Sequence, residues 1–270
     1  MAAAVTVGFD RVQHLVRVHV MLGGTPYRFL VDTGIGLTVV SSAVARRAVE
    51  IGETFTGRRM SGQSIETPLV RLPLAELGDY RLDEHVAGVA DLGASGGPNG
   101  FDGILGPGFF EHHAVTTDPD AETLTVQPRE SFQADGPEVP LDVRRESVSA
   151  DPFAQLVLPS GREICVEVDS GSDSLILDTR FAADCEVELD GPGVETRTGT
   201  DETGHNWTRH WVTIPGDVHL VAAPETAQAS PRVQFQGIIH DGLVGASYLD
   251  RYRMTFDVTG SRLVLAARSR

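Results

Sequence analysis

The side chains in this sequence best placed to do chemistry are two carboxylates, Asp32 and Asp169. Each stands at the end of an apolar run and is followed by a hydroxyl residue and a glycine: Phe29-Leu30-Val31-Asp32-Thr33-Gly34 and Val166-Glu167-Val168-Asp169-Ser170-Gly171. A carboxylate at the end of a strand is costly to bury unless it is hydrogen-bonded. The glycine two residues on lets the chain turn and brings backbone N–H groups toward the charge. Two such carboxylates brought together cannot both ionise easily, so they share a proton. One then serves as a base for a water while the other polarises a carbonyl, a route to amide hydrolysis that needs neither metal nor covalent intermediate.

What must position them is a duplicated scaffold. Phe101-Asp102-Gly103-Ile104-Leu105-Gly106 is echoed by His240-Asp241-Gly242-Leu243-Val244-Gly245, and the intervals from Asp32 to Gly106 and from Asp169 to Gly245 are 74 and 76 residues. Asp118 and Asp257 each follow the last glycine of these copies by 12 residues and precede an apolar run, Leu124-Thr125-Val126 or Leu263-Val264-Leu265. Three matched features in order divide the chain into two lobes, 1–135 and 136–270, joined through the polar stretch Gln133 to Pro140. Short alternating runs predict strands throughout, at Leu15 to Met21, Tyr27 to Val31, Leu69 to Leu74, Gln155 to Leu158, Ile164 to Val168 and Trp211 to Ile214. The fold class is therefore all-β, with short helices; the clearest helix is predicted over Ser41 to Ala48, opened by serine caps and closed before Gly52.

With both lobes in view, the sequence resembles the aspartic peptidases of the pepsin and retropepsin superfamily, and lobe similarity without disulfides or a signal peptide, in a chain short for a secreted pepsin, points to the bacterial retropepsin-like group. The carriers are Asp32-Thr33-Gly34 and Asp169-Ser170-Gly171, the elements Ile104-Leu105-Gly106 and Leu243-Val244-Gly245, and Gly245 to Asp257, similar to the C-terminal helix and strand of a pepsin-type lobe. The resemblance implies a bilobal double β-barrel with pseudo-twofold symmetry and its cleft between the lobes. It implies Asp32 and Asp169 as the catalytic pair, Thr33 and Ser170 hydrogen-bonding across the interface, and Gly34 and Gly171 giving backbone contacts, with Ser172 in support. No cofactor is expected. After Asp-Thr-Gly the first lobe departs from the family with Ile35, where a small residue or a hydroxyl residue is usual. Losing that donor should leave Asp32 easier to protonate and move the working pH toward neutral.

A flap is also expected, to close over substrate and exclude water. Gly57 to Ser64 is the candidate, with its tip at Ser61 and Gly62 as substrate-contacting residues and no tyrosine; the other reading is an ordinary surface hairpin. Its second-lobe counterpart is Thr198 to Trp207, in which Trp207 either walls a substrate pocket or simply packs. The leading function is an aspartic endopeptidase acting on peptides or proteins; the alternative is a catalytically silent peptide-binding module.

Composition narrows the partners. The chain has 270 residues and a net charge of −16, from 38 acidic residues against 22 basic ones that are all arginine, a surface that repels nucleic acid and anionic membrane. No apolar run is long enough to span a bilayer, and the first residues do not read as a signal peptide, so a cytoplasmic monomer is expected. The cysteines, Cys165 and Cys185, are expected as free thiols. His205 with His210 and His112 with His113 lack partners at ligand spacing, and Asp169, Asp173 and Asp178 have the wrong offsets for a calcium loop, so no metal is expected.

Overall fold

The apolar alternation resolves into three β-sheets in the computed structural model, which describes residues 3–93, 99–200 and 204–268. The first ten-stranded sheet runs in the order Val49–Arg58, Ser64–Leu72, His85–Ala90, Val39–Ser41, Gly103–Leu105, Thr25–Val31, Leu15–Leu22, Ala75–Leu77, Tyr80–Leu82, with Asp10–Val12 paired to Leu15–Leu22. The second runs Glu195–Thr200, Asn206–Thr213, Arg232–Gln236, Leu175–Asp178, Gly242–Val244, Glu163–Val168, Ser149–Val157, Asp217–Leu220, Ala223–Ala229, with Asp142–Glu146 paired to Ser149–Val157. The orders match strand for strand, so the duplicated motifs belong to a duplicated topology.

A six-stranded sheet joins the halves: Val5–Gly8, Thr123–Pro128, His113–Asp118, Tyr252–Asp257, Arg262–Ala267, Glu138–Pro140. Its order is palindromic by lobe, and the pseudo-twofold axis passes between His113–Asp118 and Tyr252–Asp257. There Thr116 opposes Thr255 in the antiparallel register and their hydroxyls are hydrogen-bonded at 2.8 Å. Two apolar cores lie to either side. Val18, Phe29, Leu72, Leu105 and Phe109 centre the first; Leu156, Val166, Phe181, Phe235 and Tyr248 centre the second.

Two predicted elements come out differently. The helix over Ser41 to Ala48 is a single turn, Ser42–Ala45, capped by the Ser41 hydroxyl, because Val49 is already drawn into pairing with Arg71. The polar stretch from Gln133 to Pro140 ends in a strand: Pro137 accepts the Leu265 N–H at 3.0 Å, and Glu138–Pro140 pairs with Arg262–Ala267. Beyond the described residues of the second hairpin lie 201–203, within the stretch expected to mirror the flap.

The strand feeding each Asp is held identically in the two lobes. Thr25–Val31 and Glu163–Val168 each take a parallel neighbour, Gly103–Leu105 and Gly242–Val244, which is antiparallel in turn to Val39–Ser41 and Leu175–Asp178. Asp102 and Asp241 splice this crossing, their carboxylates accepting the N–H of Arg28 at 2.8 Å and of Cys165 at 3.0 Å. The Asp32 and Asp169 amides donate to Leu105 and Val244 carbonyls, both at 3.0 Å.

Candidate active site

Each aspartate therefore leaves the end of a strand fixed on both sides, and the two loops meet on the pseudo-twofold axis. Thr33 and Ser170 lock them together reciprocally. The Thr33 N–H donates to Ser170 Oγ and the Ser170 N–H to Thr33 Oγ1, both at 3.0 Å; Thr33 Oγ1 donates onward to the Val168 carbonyl at 2.6 Å and Ser170 Oγ to the Val31 carbonyl at 3.5 Å. Four bonds cross between the lobes over a few ångströms, each contributing about 1 kcal/mol net.

This lock brings the Asp32 and Asp169 side chains together, each carboxylate lying against the glycine of the opposite loop. The Gly34 amide donates to Asp32 Oδ1 at 2.8 Å, and the Gly171 and Ser172 amides to Asp169 Oδ1 at 2.9 and 3.1 Å. The glycines are also needed for space: a methyl group on Gly34 would overlap the Asp169 carboxylate, and one on Gly171 would overlap Asp32. Ser172 supports Asp169 through its backbone alone, because its hydroxyl is engaged with Ser174, donating to that carbonyl and accepting that amide at 3.4 Å.

Burial, then the charge of Asp169, pushes the Asp32 carboxyl up to about 8. Burial raises Asp169 as well, but its backbone donors, its bond to Asp32 and the field of His14 hold it down. Both carboxyl groups are thus shifted toward the protonated form, as expected of a close pair that shares a proton. His14 is a residue that sequence reading passed over: it sits in the turn between Asp10–Val12 and Leu15–Leu22, and its Nε2 donates to the Gly171 carbonyl at 2.9 Å. Nothing local in the sequence marks it, since its partner lies 157 residues away.

The hairpin Val49–Arg58/Ser64–Leu72 arches over this pair. Its turn is closed by Arg59 and Gly62, the Gly62 amide donating to the Arg59 carbonyl at 2.8 Å; Ser61 and Gly62 are half-buried there, and Ser61 Oγ donates to Gln63 at 3.3 Å. The residue that reaches the opposite lobe is Met60. Its carbonyl accepts the Ile239 N–H at 3.0 Å and its side chain packs on Ile176, Ile238 and Leu243. Beneath the hairpin lies a cavity of about 680 Å³ bounded by Ile35, Phe55, Met60, Phe153, Glu167 and Asp169. A second cavity of about 580 Å³ lies toward Trp207. Trp207 walls that cavity and also packs: its ring lies against Gly199, with the Arg209 guanidinium 4.4 Å from the ring centre.

Cys165 is half-buried, Cys185 is buried, and both are free thiols. Among the described residues no three His, Cys, Asp or Glu side chains converge on a metal position, and no helix is long and apolar enough to cross a membrane.

Residues 18–109, which carry Asp32-Thr33-Gly34 and the flap hairpin, match the aspartyl protease family model. The whole fold is similar to that of the aspartic proteinase from Irpex lacteus, with a TM-score of 0.57 and 18% identity over 99% of this chain and 98% of that one. No curated protein matches the chain.

Proposed function

We propose that the chain, whose residues 18–109 match the aspartyl protease family model and whose fold is similar to that of an aspartic proteinase, is an endopeptidase of the aspartic peptidase superfamily whose water nucleophile is activated between Asp32 and Asp169. The observation that carries this reading is the meeting of two half-buried aspartates from matching loops, each carboxylate accepting backbone N–H bonds from its own loop and each packed against the glycine of the other. In the singly protonated pair, ionised Asp169 takes a proton from the water as its oxygen adds to the scissile carbonyl, and Asp32 gives its proton to the carbonyl oxygen. The resulting gem-diol collapses with cleavage of the C–N bond, Asp169 passing its proton to the departing nitrogen while ionised Asp32 takes one from a gem-diol hydroxyl, so that the products are an acid and an amine and the pair again holds one proton. The flap supplies the water exclusion that makes such proton transfers effective. A single chain provides both carboxylates, which makes the monomer sufficient for this chemistry.

The test is cleavage of an unbiased peptide library across pH, with Asp32→Asn and Asp169→Asn beside the wild type. Either substitution should abolish turnover. Cleavage that survives both unchanged would end the paired-aspartate reading, while tight binding of peptides without cleavage by the wild type would assign the silent binding module instead. The pH dependence follows from the same pair. Activity requires one shared proton, so the rate should fall as pH rises through about 8, where Asp32 loses it, and fall at low pH as Asp169 gains one. A sole optimum below about 4, the range of ordinary carboxylates, would contradict this assignment.

A further inference from the structure

The cavity under the flap contains a carboxylate that the proposed chemistry does not use. Glu167 stands two residues before Asp169, is 8% exposed, and opens into the 680 Å³ cavity beside Asp151, Phe153 and His240. Its carboxylate accepts no hydrogen bond from any described residue, and the closest positive group, His240 Nε2, lies at 3.9 Å, beyond hydrogen-bonding distance. Burial lowers the basicity of that imidazole, so it is a poor counter-ion.

The fold does not require an acid here. By the matched topology and register, Glu167 occupies the position held in the first lobe by Leu30, and Asp151 the position held by Leu15. Leu30 is 3% exposed and packs without any polar need. In the second lobe two leucine positions on one side of the cleft have become carboxylates. Asp151 is itself half-buried, one oxygen accepting from Ser149 Oγ at 2.8 Å. The lining arginines stay at the exposed mouth: Arg145 pairs with Glu111 at 3.0 Å, and Arg144 pairs with Asp142 at 3.1 Å while lying 3.7 Å over the Phe153 ring. Arg144 does favour the charged form of Glu167, yet its influence is smaller than those of burial and of Asp169, Asp151 and Asp32 that oppose it. A buried carboxylate without a bonding partner, in a cavity large enough for a side chain, is a site built for a cation supplied from outside.

We propose that Glu167, assisted by Asp151, forms a substrate subsite selecting a lysine or arginine side chain in the bound peptide. The proposal rests on the endopeptidase reading for its substrate but not for its binding. A charge-assisted bond to Glu167 would satisfy the carboxylate, and Phe153 would carry the aliphatic stem of the same side chain. An uncharged isostere leaves Glu167 unpaired, which is where the discrimination arises.

The experiment uses peptide pools fixed, one position at a time, as lysine, arginine, norleucine or glutamate, read by cleavage, with a matched series of non-cleavable reduced-amide peptides read by calorimetric binding. The full chain is compared with Glu167→Gln and Asp151→Asn at neutral pH. The expected result is a preference of at least about tenfold for lysine or arginine over norleucine at one position. That preference should collapse to about one in Glu167→Gln and weaken in Asp151→Asn, with norleucine peptides handled no worse than by the wild type. No basic preference at any position, or one that Glu167→Gln leaves intact, overturns the subsite. Cleavage without preference removes the subsite and keeps the peptidase; preferential binding without cleavage keeps the subsite and removes the peptidase; neither cleavage nor binding removes both.

Discussion

At the scale of single residues, the dominant energetic fact is a pair of carboxyl groups held where water does not fully reach them. Because Asp32 titrates far above an unfolded aspartate, at 3.8, it makes no demand on stability below about pH 4 and an increasing one as pH rises toward about 8. Asp32→Asn removes that demand. The variant should therefore match the wild type near pH 4 and exceed it by at least about 1–2 kcal/mol near pH 8.5, measured by chemical denaturation at both values. A stability difference that does not grow with pH would mean that Asp32 is not raised. Thr33→Val, which keeps shape but loses a hydroxyl bonded on both sides, should cost about 2 kcal/mol. It should also lower kcat more than it changes KM, because it leaves the cavity walls in place. The two loops were legible in the sequence because each is a local signature, Asp, hydroxyl residue, glycine, repeated. Glu167 was equally visible as a letter in an apolar run, but only the register against Phe153 and the neighbouring cavity separate it from a solvated strand residue. His14 was not legible at all, since its partner is a backbone carbonyl in the other lobe.

Among the elements, the flap hairpin carries the most distinctive contact. The sequence marks a turn near Ser61 and Gly62, and the turn is there, yet the side chain that bridges the cleft is Met60, which has no polar group to advertise it. Methionine suits this role, being flexible enough to pack on Ile176, Ile238 and Leu243 and to leave them again. Met60→Ala removes that packing while keeping the backbone bond to Ile239, so the flap should lift more often. The expected signature is about tenfold faster hydrogen exchange at the Ile239 amide, equivalent to about 1.4 kcal/mol of lost closure, with core amides such as Val166 unchanged. An Ile239 rate equal to wild type would place the latch elsewhere. The shortened helix at Ser42–Ala45 teaches the same lesson from the opposite side: serine caps and small residues set its start correctly, but pairing of Val49 with Arg71 decides its end. Local signals fix where an element begins more firmly than where a distant partner interrupts it.

Over the whole molecule, symmetry is what the sequence conveyed best, because duplicated motifs at nearly equal intervals survive as duplicated strand orders. What it did not convey is the seam. Asp118 and Asp257 read as equivalents, yet Asp118 caps a surface turn by accepting the amides of Asp120 and Ala121, whereas Asp257 is fully buried between Arg129 at 2.7 Å and Arg262 at 3.1 Å. Removing one partner of a buried ion cluster leaves charge stranded. Asp257→Ala should cost about 3–5 kcal/mol in denaturation, and Asp118→Ala about 1 kcal/mol or less. Equal costs would show that the buried cluster is not tying the halves together.

The central six-stranded sheet also imposes an order in time. The strand His113–Asp118 takes Thr123–Pro128 on one side as soon as that hairpin is made, but its other side is reserved for Tyr252–Asp257, more than a hundred residues later. On a ribosome the first lobe can collapse around its own core while this edge stands open, a row of unpaired amides and carbonyls facing whatever strand comes by. Every nascent chain therefore passes through a stage at which its own later half competes with its neighbours for the same edge.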